Sequence, residues 1–314
     1  MKSNILKIHF LLIATFTFFS FTAKAQTYYN WDNDAPLEDI KGKYEISVFL
    51  GANNFLGDLG GNQGIGKPFV KDYTMKTIRP ITGISFSTYP ENFYKIGIGV
   101  NYTRVVAIDS LIPSKGGEER WRIYRNQSFR SDIIEAYANV ELYPFTRLDY
   151  YRSMHRFNPF INAGIGVFYY NPKANLNGEW VALQPLHLEG QGFPEYDERK
   201  QFKRLALYIP LSAGIKYYVT SNLAFSLSAT ARLSNTDYID GVSTTYINPS
   251  LFDQHLSPEK AALAKQLYSR SITPWKVKPD VAKADSKDKD SYVSVFFSVS
   301  FALQKQMKIY YGGM

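Results

Sequence analysis

The 314-residue chain contains no cysteine. That excludes disulfides, a lipidated N-terminal cysteine, thiolate catalysis and thiolate ligation of a metal. Histidine is scarce as well, at four residues. Beyond the first 25 residues there is no apolar run of the roughly 18 residues that a helical membrane span requires, so a helical membrane protein is excluded.

The first 25 residues differ from the rest. Lys2 and Lys7 precede an apolar run from Ile8 to Phe21, which ends in the small-residue stretch Ala23-Lys24-Ala25. This is the pattern of a secretory signal peptide (1–25) cut before Gln26. Loss of Lys2, Lys7 and Lys24 lowers the formal charge of +8 by three, to +5. An excess of that size suits a protein beside anionic lipid and does not point to nucleic acid, which is not expected as a partner. Residues 26–43 are polar and acidic and read as a periplasmic lead segment. Tyr and Phe are abundant, 24 and 22 residues, the material from which a membrane barrel builds its two interfacial girdles.

The dominant pattern is alternation. From Leu223 to Leu233, Leu223, Phe225, Leu227, Ala229, Ala231 and Leu233 take every other place, with Ala224, Ser226, Ser228, Thr230 and Arg232 between them. A period of two is a strand with one apolar and one polar face. The preceding arm, from Arg204 to Tyr217, repeats the rule across the turn Val219-Thr220-Ser221-Asn222. Arms of about a dozen residues exceed ordinary soluble strands and are long enough to cross a bilayer when tilted. Six further alternating segments begin near Tyr44, Arg79, Tyr94, Ile134, Ile161 and Val293.

Eight strands result. Their connections are expected at Asn53–Lys76, Tyr89–Asn92, Ala107–Gln127, Pro144–Asn158, Asn171–Phe202, Val219–Asn222 and Ser234–Asp290. These run long, short, long, intermediate, long, short, long. That parity predicts an all-β, eight-stranded antiparallel up-and-down transmembrane β-barrel over 44–304, with long external loops, short periplasmic turns and both termini periplasmic, including a C-terminal tail at 305–314. Closure is required because an open edge in lipid leaves N–H and C=O groups unpaired. A soluble all-β sandwich would also alternate, but has no reason to sort its loops by length. A Lys or Arg facing the bilayer midplane costs about 2–4 kcal/mol. Glu45, Lys95, Glu135, Glu141, Lys216 and Arg232 are therefore predicted to point inward and pair in a filled lumen.

Motifs for chemistry are weak. Gly61 to Lys67 has the spacing of a phosphate-binding loop, but Pro68 stands where Ser or Thr would hold magnesium, so a loop is expected. Under the parity above, His155 lies on the side opposite His187 and His255, so three histidines cannot share a metal. His187 and Glu189 lie close in sequence, with serines in other external loops, but nothing fixes them as a Ser-His-acid set. Asp237 and Asp240 could help bind calcium or could bond the backbone as loop anchors, the commoner use of Asp in turns. Ser257-Pro258-Glu259 opens a predicted short helix, and Lys276–Asp290, dense in Lys and Asp, reads as a solvated, mobile tract.

Several runs resemble a known family. Asn54-Phe55-Leu56-Gly57-Asp58-Leu59, Phe160 to Gly166, Leu183-Gln184-Pro185-Leu186, Glu189-Gly190-Gln191-Gly192 and Thr236-Asp237-Tyr238-Ile239-Asp240 are similar, in that order, to the Bacteroidota outer-membrane barrels that include the type IX secretion component PorG. The resemblance implies a non-catalytic outer-membrane barrel without a cofactor, carrying a motif at Asn54, Gly57, Asp58, Gln184, Gly190, Gly192, Asp237, Tyr238 and Asp240. It also implies an accessory role in secretion and gliding beside a periplasmic ring lipoprotein. The expected contact is the basic turn carrying Arg147, Arg152, His155 and Arg156, together with Gln26 to Lys43, with outer-membrane lipid around the wall. The alternatives are external ligand or surface binding through loops around Trp180 and Trp275, and a lipid-modifying enzyme.

Overall fold

The structure is a computed structural model and describes residues 40–61, 74–114, 116–117, 119–147, 156–272, 278–285 and 288–303. The predicted signal peptide, residues 26–39 of the lead segment, Gly64 to Lys67, Arg152, His155, Trp275 and the C-terminal tail lie outside them.

Nine strands form one sheet among the described residues: β1 (Tyr44–Leu56), β2 (Arg79–Glu91), β3 (Tyr94–Ile108), β4 (Ser128–Leu142), β5 (Phe157–Leu176), β6 (Glu179–Ala182), β7 (Leu205–Tyr218), β8 (Leu223–Ser234) and β9 (Ser291–Leu303). Eight of them close into an antiparallel barrel, because β4 pairs with β5 and β1 pairs with β9 from Tyr44↔Leu303 to Leu56↔Ser291. No sheet edge is left along the wall, as a strand in lipid requires. No helix of the described residues is long and apolar enough to cross a membrane.

The two faces follow the alternation. Val48, Leu50, Ile84, Ile98, Ile134, Ile165, Leu207 and Leu227 face outward and are exposed, forming the apolar band of a transmembrane barrel. Tyr94 at one end of β3 and Tyr102 toward the other both face outward. At about 3.3 Å per residue they lie roughly 26 Å apart along the strand, and the usual tilt of about 40° reduces this to roughly 20 Å along the barrel axis, within the apolar band of about 25 Å that such barrels present.

Three expectations about element bounds are corrected. The first connection does not begin at Asn53: β1 continues to Leu56 and β9 accompanies it. β3 likewise runs on to Ile108, and β4 begins at Ser128, so the connection expected from Ala107 is shorter. Asn171–Phe202 is not all connection either, since β5 extends to Leu176 and folds back through β6 in a short hairpin beyond the barrel wall. In each case the strand leaves the band where one face meets lipid. Residues 53–56 are buried without interruption, as are Val105, Val106 and Ala107, so the period-two signal fades although the ladder continues.

The connections at one end are short, 92–93 and 219–222, with 143–156 of intermediate length. At the opposite end they are long. Loop 109–127 carries α1 (Glu119–Arg125), and loop 235–290 carries α2 (Leu251–His255) and α3 (Pro258–Leu267). The predicted helix at Ser257-Pro258 is α3, with Pro258 at its first position and Ala261, Ala264 and Leu267 buried on one face. Three apolar clusters stack along the barrel axis. One seals the turn end, with Ile40 set against Tyr89, Tyr143, Phe160 and Tyr218. Another fills the loop-end mouth, where Ile239 and Val242 of the last loop enter among Phe168, Tyr208 and Tyr292. The third lies over the mouth and joins α3 to Leu183, Leu186 and Phe193 of the β6–β7 loop.

Candidate functional site: a charged lumen under an interlocked cap

The six inward charges predicted from transfer cost all lie inside the barrel, in two layers. Nearer the turns, Glu45 receives Lys95 Nζ at 2.9 Å, Lys216 Nζ at 2.5 Å and the Tyr89 hydroxyl at 2.8 Å. Lys95 is shared with Glu141 at 3.0 Å. Nearer the loops, Glu135 pairs with Arg232 at 2.7 Å and accepts from Tyr208, Tyr292 and Asn101. Stranding a buried ion by removing its partner costs about 3–5 kcal/mol, and here each carboxylate has several donors. Between the layers remains a cavity of about 80 Å³ lined by Ser85, Ser212, Ser228 and Ser298. That is room for a few waters.

The residues of the family-like motif gather at the opposite level, in the cap. Asp240 accepts the backbone N–H of Leu59 in the first loop at 3.2 Å and that of Val242 in its own loop at 2.9 Å. Asp290 accepts Ile239 N–H at 2.8 Å. Asp237 accepts the Ser243 hydroxyl at 2.6 Å, and Asp58 accepts Asp285 N–H at 3.1 Å. Glu189 receives Ser243 N–H at 3.1 Å, Thr244 N–H at 3.0 Å and the Thr244 hydroxyl at 2.9 Å, with Lys283 Nζ at 3.5 Å. Carboxylates therefore tie the first loop and the β6–β7 loop to the last loop.

Gly57 belongs to this set for steric reasons: a Cβ there would overlap the Asp290 carboxylate and the Phe55 ring. Gly241, Gly190 and Gly192 hold positive φ, which a glycine adopts without strain. Tyr238 stacks on Phe202 at 4.5 Å, and Gln184 donates to the Phe202 carbonyl at 3.0 Å. Asn54 donates to the Thr74 carbonyl at 2.8 Å, fastening the top of β1.

Sequence reasoning missed the strongest tie. Asp109, fully buried, takes Arg125 Nε at 2.8 Å, Gly60 N–H at 2.9 Å and Gln127 N–H at 3.0 Å. The same guanidinium donates to the carbonyls of Asp58 and Lys283, both at 2.7 Å. One side chain thus joins three loops. Neither residue sits in an alternating segment or a turn signature, so no local pattern marks them.

Burial sets the electrostatics of the cap. It pushes the Asp58 carboxyl up to about 6, against the pull of the Asp285 N–H and Arg125. It raises Asp237 to about 7, with the Ser243 hydroxyl opposing and the Asp58 charge adding. Asp240 and Asp290 lie well above the usual carboxylate range because they are buried, with the charges of Asp290 and Asp58 adding at Asp240 and those of Asp237 and Asp58 adding at Asp290. Burial also lowers the Lys283 ammonium.

In this geometry Asp237 and Asp240 bond loop hydroxyl and backbone N–H groups, as loop anchors do. The tract from Lys276 is not a solvated tail throughout, because Lys283 and Asp290 are buried in the cap. His187 Nδ1 faces the Gln191 carbonyl while Glu189 turns to Ser243 and Thr244, so the two side chains form no dyad. Of the predicted turn-end contact residues, Arg156 donates to the Val219 carbonyl at 2.7 Å, and Arg147 ends a 3-10 turn begun at Pro144.

A family model described as a domain of unknown function, DUF6089, matches residues 39–252, well over half the chain. The chain belongs to the DUF6089 family. No curated protein matches it. Among solved structures, this DUF6089 barrel is similar to Ail of Yersinia pestis in complex with sucrose octasulfate, at 8% identity and TM-score 0.37, covering 84% of this chain and 99% of that one. It is similar to OprG of Pseudomonas aeruginosa at 8% identity and TM-score 0.36, covering 85% and 98%, and to Neisserial surface protein A at 10% identity and TM-score 0.36, covering 82% and 96%. The closed circuit of strand ladders, independent of these likenesses, defines the fold.

Proposed function

We propose that this DUF6089 barrel is a non-catalytic scaffold of the bacterial outer membrane, with its short turns and both termini in the periplasm and its cap outside. The observation that carries this reading is closure at three levels: the turn-end aromatic layer, the paired charges of the lumen and the interlocked cap. A barrel that passes nothing acts through what docks on it. The similarity of its motif to the Bacteroidota barrels that include PorG supports an accessory role in type IX secretion, with a periplasmic ring lipoprotein as partner at the basic turn of Arg147, Arg152, His155 and Arg156. Deleting the gene and comparing secreted proteins tests the role. Loss of type IX cargo from the medium is expected. Normal secretion, with no ring lipoprotein recovered by pull-down from solubilised membranes, excludes it.

A further inference from the structure

The outer wall carries charge on one arc of its loop-end rim. On β3, β4 and β5 the outward positions beyond the apolar band are Arg104, Asp132, Arg130 and Lys173. Arg104 pairs with Asp132 at 2.6 Å, and Tyr102 donates to the same carboxylate. Arg130 and Lys173 stand directly opposite each other in the β4–β5 ladder. Two like charges in direct cross-strand register repel, and no carboxylate of the described residues forms an ion pair with either. The Arg130 guanidinium is held over the Trp180 ring at 3.8 Å by the β5–β6 hairpin, and its Nε has no hydrogen-bond partner. On the other arc, at the same height, the outward residues Leu233, Val293, Val295, Ala52, Pro80 and Thr82 are uncharged.

Below this rim the wall is furrowed. Small side chains at Ala136 and Ala138 on β4, flanked by Ile98, Val100, Ile165 and Val167, leave a shallow, open apolar furrow on the outer wall. Arg130 and Ala136 lie six positions apart on β4, roughly 20 Å at about 3.3 Å per residue, about the length of an extended acyl chain. A paired cation site with a fixed guanidinium matches a phosphate group, and the separate furrow below it in the apolar band matches a hydrocarbon chain.

We propose that this arc binds a phosphorylated lipid headgroup, with Arg130 and Lys173 as the phosphate ligands and the Ala136–Ala138 furrow receiving an acyl chain. The site rests on the reading of the protein as a membrane-spanning barrel. The test uses the full mature chain in detergent micelles, with phosphatidic acid as probe and phosphatidylcholine as competitor, read by native mass spectrometry. Folding of each variant is checked by the mobility of the unheated protein on gels. Wild type should retain phosphatidic acid over phosphatidylcholine. R130Q/K173Q should lose at least about five-fold in retention, as expected for cations beside an anionic headgroup. R130K/K173R and the off-site control Lys260→Gln should keep most of it. Equal retention by wild type and R130Q/K173Q, or no preference for phosphatidic acid, overturns the site. Full displacement by inorganic phosphate assigns the cations to a free anion and overturns the lipid. A protein that fails to enter vesicles at all refutes the membrane reading instead, a result distinct from insertion without lipid preference.

Discussion

Individual carboxylates carry the cap, and their titration gives its pH dependence. Asp58 at about 6 and Asp237 at about 7, with Asp240 and Asp290 also raised, hold protons in the folded cap that the unfolded chain releases near 4. Folded values above unfolded ones mean a contribution fully present below about pH 4 and lost as pH rises through 6 and 7. Lys283 works in the opposite sense, between its lowered value and 10.5. Hydrogen exchange of residues 237–244, corrected for intrinsic rate, should therefore be slower at pH 5.5 than at pH 8. Slower exchange at pH 8 would contradict it. Arg125 gives a second test at this scale. Arg125→Ala leaves Asp109 buried without its cation, and about 3–5 kcal/mol of cap stability should go with it. Protease should then cut loops 109–127 and 278–285 while the barrel keeps its mobility on unheated gels; unchanged resistance would show that Arg125 does not hold the loops. Asp237 and Asp240 were legible as turn carboxylates from their spacing alone. The bonds of Asp240 to Leu59, of Asp290 to Ile239 and of Glu189 to Ser243 were not, because they join residues about 50 to 180 positions apart in sequence.

At the scale of the strands, lipid makes the pattern legible. Where one face meets hydrocarbon and the other a polar lumen, every second residue must be apolar, and the alternation along β7, β8 and β9 follows. Glu45, Lys95 and Lys216 could be placed inward on cost alone. Above the band both faces are covered by protein, selection for alternation ends, and residues such as Asn53, Asn54, Val106 and Ala107 carry no period although they remain in strands. The β5–β6 hairpin was hidden because β6, Glu179–Ala182, is only four residues long, too short to show a period. A direct test of the face assignment is Ile98→Arg, which puts a cation on the lipid side of β3, where the isoleucine is 61% exposed. It should cost about 2–4 kcal/mol in vesicle refolding. A variant as stable as wild type would place Ile98 away from the bilayer midplane.

For the whole molecule, the question is whether the barrel conducts. The lumen meets two independent obstructions. In the Glu135–Arg232 layer, Tyr208 and Tyr292 close around the ion pair; in the turn-end layer, Ile40 is packed against Tyr89 and Tyr143 over Glu45, Lys95 and Lys216. Eight strands enclose an interior that side chains can fill, so opening one layer leaves the other in place. In planar bilayers the wild-type protein should show no conductance steps. E135A/R232A, which removes the upper ion pair, should be destabilised yet remain silent, because the turn-end layer still blocks the axis. Steady conductance from the folded wild type would mean that the lumen opens in a bilayer, and a transport role would then replace the scaffold. Conductance confined to E135A/R232A would locate the seal in the upper layer alone and leave the turn-end cluster as packing for the chain that enters at Ile40.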